Sequence, residues 1–281
     1  MTRIGVVSVA EALDSATIAI RAAGSPSARL DAELLLADAI GGSRERLILE
    51  PAAPLESDAA RTFRSHVRRR SAQREPVAYI VGSRAFRRLD IGVDARVLVP
   101  RPETELLVEL AAGALASGVS VLDCCCGSGA VALALKDERG DLAVSGSDLD
   151  RGALEVAAAN SQRLGLEIEW LQADLLEGFQ AGRFDAVVAN PPYVASDEIA
   201  ALEPEVSRHE PRLALDGGSD GLATLARLIA QAGAAGVGTL ILEHGEGQAD
   251  AVHALCEAAG YSSCERHRDL AGIERALLAR R

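Results

Sequence analysis

Asn190-Pro191-Pro192-Tyr193 carries the most specific chemistry in the chain. It follows Phe184-Asp185-Ala186-Val187-Val188-Ala189, which reads as a strand, and so falls at a strand's carboxyl end, where open α/β sheets bind ligands. Two prolines fix φ and remove two backbone donors, leaving a stiff turn whose carbonyls are free to accept hydrogen bonds. Such a turn suits a planar nitrogen acceptor. An amide or exocyclic amino nitrogen is a poor nucleophile because its lone pair is delocalised. If the Asn190 side-chain oxygen and the Pro191 carbonyl each accept one N–H of an NH₂ group, the lone pair turns toward the carbon to be transferred. Catalysis then comes from orientation and preorganised dipoles. Tyr193 is expected as an apolar wall or stacking surface for the planar group. The plainer alternative is a Pro-Pro loop that only turns the chain.

Upstream, Val121-Leu122-Asp123-Cys124-Cys125-Cys126-Gly127-Ser128-Gly129-Ala130 sets a strand, a glycine-bearing turn and a helix in succession. Gly127 and Gly129 let the backbone approach a ligand, and the helix start offers free N–H groups. Gly127-x-Gly129-x-x-Ala132 also satisfies the looser dinucleotide fingerprint, with Asp148 at the offset of a ribose-binding acid. By itself this pair does not separate NAD from S-adenosylmethionine. Asp148 ends the second expected strand of the domain, where a carboxylate can accept both ribose hydroxyls. Asp174 ends the third, near an adenine edge; helix N-capping is the plainer role for both acids. No Gly-Lys-Ser/Thr follows the loop and the single lysine, Lys136, lies off it, which excludes a P-loop ATPase.

Three adjacent cysteines on a strand point to alternate faces and do not converge on one ion, so Cys124, Cys125 and Cys126 are expected as small buried residues rather than metal ligands. With Cys256 and Cys264 they make an odd number without a C-x-x-C pair, which points to a reducing, cytoplasmic compartment. No export signal or membrane anchor is expected. The net charge of −12 repels phosphate backbones and disfavours extended nucleic acid as a partner. One basic run, His66-Val67-Arg68-Arg69-Arg70 with Arg74 beyond it, opposes that trend and is expected as a solvated helix face, otherwise a docking patch.

These motifs need elements to hold them. At 281 residues, with 48% hydrophobic and 25% charged residues, the chain can bury more than one core, so two domains are expected. From Ser8 to about Arg74 apolar residues recur at helical spacing, broken by Gly24-Ser25-Pro26, Gly41-Gly42-Ser43 and Pro51 to Pro54, which predicts three to five short helices. Ala78-Tyr79-Ile80-Val81 and Leu89-Asp90-Ile91-Gly92-Val93 read as strands of a hairpin linker. From Arg101 onward, strand-like runs at 119–122, 142–147, 168–172, 186–189 and 239–242 alternate with stretches long enough for crossover helices. An α/β, doubly wound parallel sheet follows. The expected division is a helical domain over 1–74, a hairpin linker over 75–100 and a sheet domain over 101–281.

Taken together, Glu75-Pro76-Val77-Ala78-Tyr79-Ile80-Val81-Gly82, Val97-Leu98-Val99-Pro100-Arg101-Pro102-Glu103-Thr104-Glu105 and the Asn-Pro-Pro-Tyr turn resemble the HemK/PrmC family of release factor glutamine methyltransferases. Ala214-Leu215-Asp216-Gly217-Gly218, Asp220-Gly221-Leu222, Glu243-His244-Gly245 with Gln248, and Asp269-Leu270-Ala271-Gly272 extend the likeness over most of the chain. The resemblance implies a Rossmann-like class I fold and S-adenosylmethionine as cofactor, with S-adenosylhomocysteine as product. It implies a helical N-terminal domain that docks peptide chain release factors, and methylation of the glutamine in their Gly-Gly-Gln motif. Cofactor positions carried over are Cys125, Cys126, Gly127, Ser128, Gly129, Asp148, Asp174, Leu175 and Asn190; acceptor positions are Asn190, Pro191, Pro192 and Tyr193. The family commonly has glycine where Cys125 stands, and a tryptophan or other large residue where Leu175 stands. Competing expectations are a nucleic-acid adenine or guanine amino methyltransferase, a ribosomal-protein glutamine methyltransferase, an NAD enzyme and a catalytically silent binding module.

Overall fold

A computed structural model of the chain describes residues 7–281; part of the N-terminal stretch read for an export signal lies outside the described residues. The chain divides into two compact units, residues 1–82 with 203–209, and 83–202 with 210–281.

The first unit is helical: α1 (Val9–Ala22), α2 (Ala28–Ala39), α3 (Arg44–Leu49), α4 (Ser57–Ala72) and α5 (Val77–Val81). Ser8 caps α1 in a reciprocal box with Glu11, satisfying two otherwise orphaned N–H groups. The apolar faces of these helices bury Leu13, Ile20, Leu35, Leu36 and Phe63 in one core. Ala78-Tyr79-Ile80-Val81, expected as a strand, is helical instead. Pro76 stands at its N-cap and Gly82, at φ +80°, closes it in the left-handed conformation, so the punctuation at both ends and burial of Ala78 and Ile80 override β-branched propensity.

The basic run on α4 is not a solvated face. Arg70 and His66 are buried, Arg69 forks onto Glu75, and only Arg68 of the run's arginines is exposed. The Arg70 guanidinium donates to Asp31 Oδ2 at 2.7 Å, to Ser25 Oγ and to Glu205 Oε1, while Arg74 holds both oxygens of Glu205. Glu205 lies in the segment of residues 203–209, which the chain contributes to the helical unit from its second half. An arginine spacing that looks like a charged surface thus serves an internal acidic pair, a pairing that burial makes obligatory.

The second unit opens with a hairpin, β1 (Ser83–Phe86) and β2 (Leu89–Gly92), paired from Ser83↔Gly92 to Phe86↔Leu89. There follow α6 (Glu105–Ala114), β3 (Ser120–Cys124), α7 (Ala130–Glu138), β4 (Ala143–Asp148), α8 (Arg151–Leu164), β5 (Glu169–Gln172) and β6 (Ala186–Ala189). Short α9 (Pro204–His209) belongs to the helical unit; α10 (Ala223–Ala235), β7 (Thr239–Glu243), α11 (Ala249–Ala258), β8 (Ser263–Arg268) and β9 (Glu274–Arg280) complete the chain. The seven-stranded sheet has the order β5-β4-β3-β6-β7-β9-β8. The five expected strands are all present and mutually parallel. β9 runs antiparallel between β7 and β8, and neither β8 nor β9 is among the expected strands. Ala276-Leu277-Leu278-Ala279 is buried on both faces, so it lacks the alternation that marks a half-exposed strand, and its residues are good helix formers.

The order reverses at β3, with β4 on one side and β6 on the other, which opens a crevice at their carboxyl ends. Cys124, Ser147, Ala189 and Leu242 are register partners across four strands, so the loops that follow all start at one level.

Candidate active site

Two adjoining cavities occupy this crevice. The larger is lined among others by Cys125, Gly127, Asp148, Asp174, Leu175 and Asn190. The smaller is lined by Asp123, Thr104, Cys126, Ser128 and again by Gly127 and Asn190. Asn190 therefore faces both. Gly129 lines neither cavity. A Cβ there would sit 2.6 Å from the Trp170 ring, and one at Gly146 would sit 2.3 Å from it, so the indole packs where only glycine fits and backs the loop.

Gly127, at φ +53°, has no protein atom within 4 Å of where a Cβ would stand, so its backbone is open to a bound group. Its N–H donates to Asp148 Oδ2 at 2.9 Å, and Asp150 N–H donates to Oδ1 at 2.9 Å. Each carboxylate oxygen keeps a lone pair, the donor set that two vicinal hydroxyls require. Helix capping falls to Asp150, which accepts from Gly152 N at 2.7 Å at the start of α8, so Asp148 is not spent on that role. Burial pushes the Asp148 carboxyl up, opposed by the backbone donors. Asp174 pairs with Arg227 at the cleft's edge. These residues fit an adenosine-bearing cofactor. The three thiols fit no metal site: Cys125 and Cys126 are held well above the ordinary thiol range, and among the described residues no group of His, Cys, Asp or Glu is placed to hold an ion.

Both positions where the chain departs from the family pattern lie in the left-handed region, Cys125 at φ +62° and Leu175 at φ +58°. A side chain there costs about 1–2 kcal/mol, whereas glycine restores about 0.5–1 kcal/mol of unfolded-state entropy. Cys125→Gly is therefore expected to leave stability unchanged or raise it by up to about 1 kcal/mol. Thermal denaturation with and without cofactor checks this; a clear fall in Tm would show that packing of the thiol outweighs the backbone strain.

Asp123, at the carboxyl end of β3, is buried and accepts from Ala132 N–H at 2.9 Å. Burial is the largest cause that pushes its carboxyl up to about 8; the Ala132 donor opposes this and Asp148 adds to it. A folded-state pKa raised above the unfolded one contributes stability below the ordinary carboxylate range, and that contribution is lost as pH rises through about 8. Asp123→Asn keeps the acceptor for Ala132, so its stability relative to the parent should climb between pH 4 and 8. Urea denaturation across that window tests it, and a flat difference would place Asp123 in the ordinary range.

The acceptor turn is held from below. Asn190 Nδ2 donates to Thr104 Oγ1 at 3.1 Å, Thr104 Oγ1 donates to Glu243 Oε2 at 2.7 Å, and Tyr193 OH donates to Glu243 Oε1 at 3.0 Å. Tyr193, expected as a wall for the acceptor, lines neither cavity; its ring packs against the sheet core and its hydroxyl is tied to Glu243. Pro191 is buried and Pro192 lines the larger cavity.

Gln248 clamps the turn, donating to the Tyr193 carbonyl at 3.0 Å and accepting from Gly245 N–H. Gly221 lies so close that a Cβ there would stand 2.3 Å from the Tyr193 carbonyl oxygen. The Asp-Gly-Leu and Glu-His-Gly segments thus converge on the tetrapeptide, while the Asp-Gly-Gly segment pairs with Val194 and Ser196 just beyond it. Glu210, buried, holds Arg101 at 2.6 Å and so pins the stretch whose Leu98 faces both cavities. Thr104, Glu243, Asp123 and Trp170 received no role from the sequence. The first two lay inside recognised segments, which was the available signal, but their partner is set by strand order.

A mixed seven-stranded sheet with a cleft at its switch point and a proline-stiffened turn beside it has the architecture of a class I S-adenosylmethionine-dependent methyltransferase. Residues 11–82 match the PrmC N-terminal domain and residues 102–213 the methyltransferase small domain. The release factor glutamine methyltransferase of Rhodospirillum rubrum is 42% identical over 274 residues, covering 96% of this chain and 84% of that protein. That of Burkholderia pseudomallei is 42% identical over 272 residues, covering 93% and 95%. A methyltransferase from Pyrococcus furiosus shares the fold, with a TM-score of 0.53 at 18% identity over 70% of this chain and 90% of its own. The chain belongs to the HemK/PrmC family of release factor glutamine methyltransferases.

Proposed function

We propose that the chain methylates the side-chain amide nitrogen of the glutamine in the Gly-Gly-Gln motif of peptide chain release factors. The observation that carries this reading is the Asn190 amide, anchored through its nitrogen to Thr104 in a residue that lines both cavities. Two fixed acceptors can hold both hydrogens of a carboxamide and turn its lone pair, which ordinary amide resonance withholds. S-adenosylmethionine, when bound, supplies a methyl group made electrophilic by its sulfonium. Asp148 would hold the ribose hydroxyls, the Cys125–Gly129 loop the amino-acid portion, and Leu175 one apolar face of the base. Asp123, neutral at physiological pH when alone, would ionise against an incoming ammonium. The apolar lining around Leu98 and Pro192 excludes water from the acceptor nitrogen.

The helical N-terminal unit is proposed as the surface that docks the release factor, and the cytoplasm as the place of action. Free thiols on all five cysteines suit that compartment. Among the described residues no helix is long and apolar enough to cross a membrane.

The test is incubation of the protein with a purified release factor and labelled S-adenosylmethionine, followed by mass mapping. One methyl group on the Gly-Gly-Gln glutamine is the expected product. Label on DNA or RNA instead would decide for an amino methyltransferase of nucleic acid, and label on a ribosomal-protein glutamine for the sibling activity.

A further inference from the structure

We propose that Thr104 and Glu243 are positioning residues that fix the direction of the Asn190 amide, so that its oxygen and not its nitrogen is offered to the acceptor. This rests on the reading of Asn190 given above and goes one layer deeper into the same site.

An asparagine side chain has nearly the same shape either way round, so packing alone does not choose between its two ends. Hydrogen-bond polarity does. Glu243 ends β7, is 1% exposed, and as a carboxylate can only accept. Both hydroxyls that reach it, from Thr104 and Tyr193, must therefore donate. The Thr104 hydroxyl has one hydrogen, which Glu243 takes, so toward Asn190 it can only accept. The Asn190 atom 3.1 Å away must then be the NH₂ group, which leaves Oδ1 as the end presented to the cavities. Thr104 is itself 5% exposed. The register that aligns Ala189 with Leu242 brings the ends of β6 and β7 level, which lets Glu243 act on the turn after β6.

The relay works only while Glu243 is ionised. Burial raises its carboxyl to about 6, with Thr104 and Tyr193 donating against that shift, Arg275 on β9 also favouring the charged form and Glu103 opposing it. Protonation puts a donor on Glu243, frees one hydroxyl hydrogen, and removes the reason for Asn190 to point one way.

Glu243→Gln keeps the shape but supplies its own donor, so Thr104 can turn its hydrogen toward Asn190. The expected result is a fall in kcat of about ten- to a hundredfold, the range seen when an orienting partner is lost, with cofactor affinity little changed. The acid limb of the kcat profile near pH 6 should vanish in this variant. Thr104→Val should fall similarly, and Thr104→Ser should recover most of that loss, a contrast that stands even if one Glu243 variant folds poorly. Asn190→Ala is run alongside. If Asn190→Ala is inactive while Glu243→Gln keeps the parental rate and acid limb, the relay is wrong and the reading of Asn190 survives. If Asn190→Ala is active, both fall together.

Discussion

Asn190→Ala is expected to lower kcat on a release-factor substrate by about a hundredfold or more, the scale set by removing one preorganised polar group from a reaction centre. In the proposed mechanism the side chain contributes one of the two acceptors that turn the glutamine nitrogen. Without it, on the same proposal, the amide would be held by the Pro191 carbonyl alone and would rotate about that single bond. Cofactor affinity changes much less, because the cleft has many other contacts and its ribose acid, Asp148, is untouched. Asn190→Asp should be no rescue. It keeps an acceptor but faces Thr104, whose hydrogen is committed to Glu243, with another acceptor. Single-turnover rates with saturating cofactor, together with equilibrium cofactor titration, separate the two effects. A rate within a few-fold of the parent would remove Asn190 from the mechanism.

Arg70→Met is expected to destabilise the protein by about 3–5 kcal/mol, the cost of taking one member from a buried ionic cluster. Asp31 and Glu205 flank Arg70 in the helical unit, and the side chains of Arg70 and Asp31 are each 7% exposed. Methionine fills much of the volume but leaves Asp31 to the Ser25 and Ser27 hydroxyls and Glu205 to Arg74 alone. Arg68→Met, two residues away and exposed, should change stability by no more than about 0.5 kcal/mol. Urea unfolding of the two variants side by side is decisive: equal, small effects would mean that Arg70 is solvated and that residues 203–209 gain nothing from it.

The contrast between Arg68 and Arg70 also shows how far the sequence carried. Charge runs on helices usually face water, and helical spacing cannot reveal that one arginine of the run meets an acid 135 positions later. Glycine signals were more informative. Gly127 and Gly129 were assigned together to the cofactor, yet one opens onto the cleft while the other makes room for Trp170, a distinction that requires the position of β5. Cys125 and Leu175 stood out as unusual residues, and the structure adds that both carry positive φ, where a side chain is strained.

Local chemistry decided what could be read in one dimension. The strand runs, the glycine turn after β3 and the proline-stiffened turn after β6 are consequences of covalent geometry and apolar periodicity, which act over a few residues. The tetrapeptide and its place at a strand's end were therefore visible, as was the acid at the end of β4. The orientation of the Asn190 amide was not. It depends on Thr104, 86 residues before it, and on Glu243, 139 residues beyond Thr104. Those three side chains meet only because β7 pairs with β6, and that pairing is chosen by burial of the whole sheet rather than by any pattern within the strands themselves.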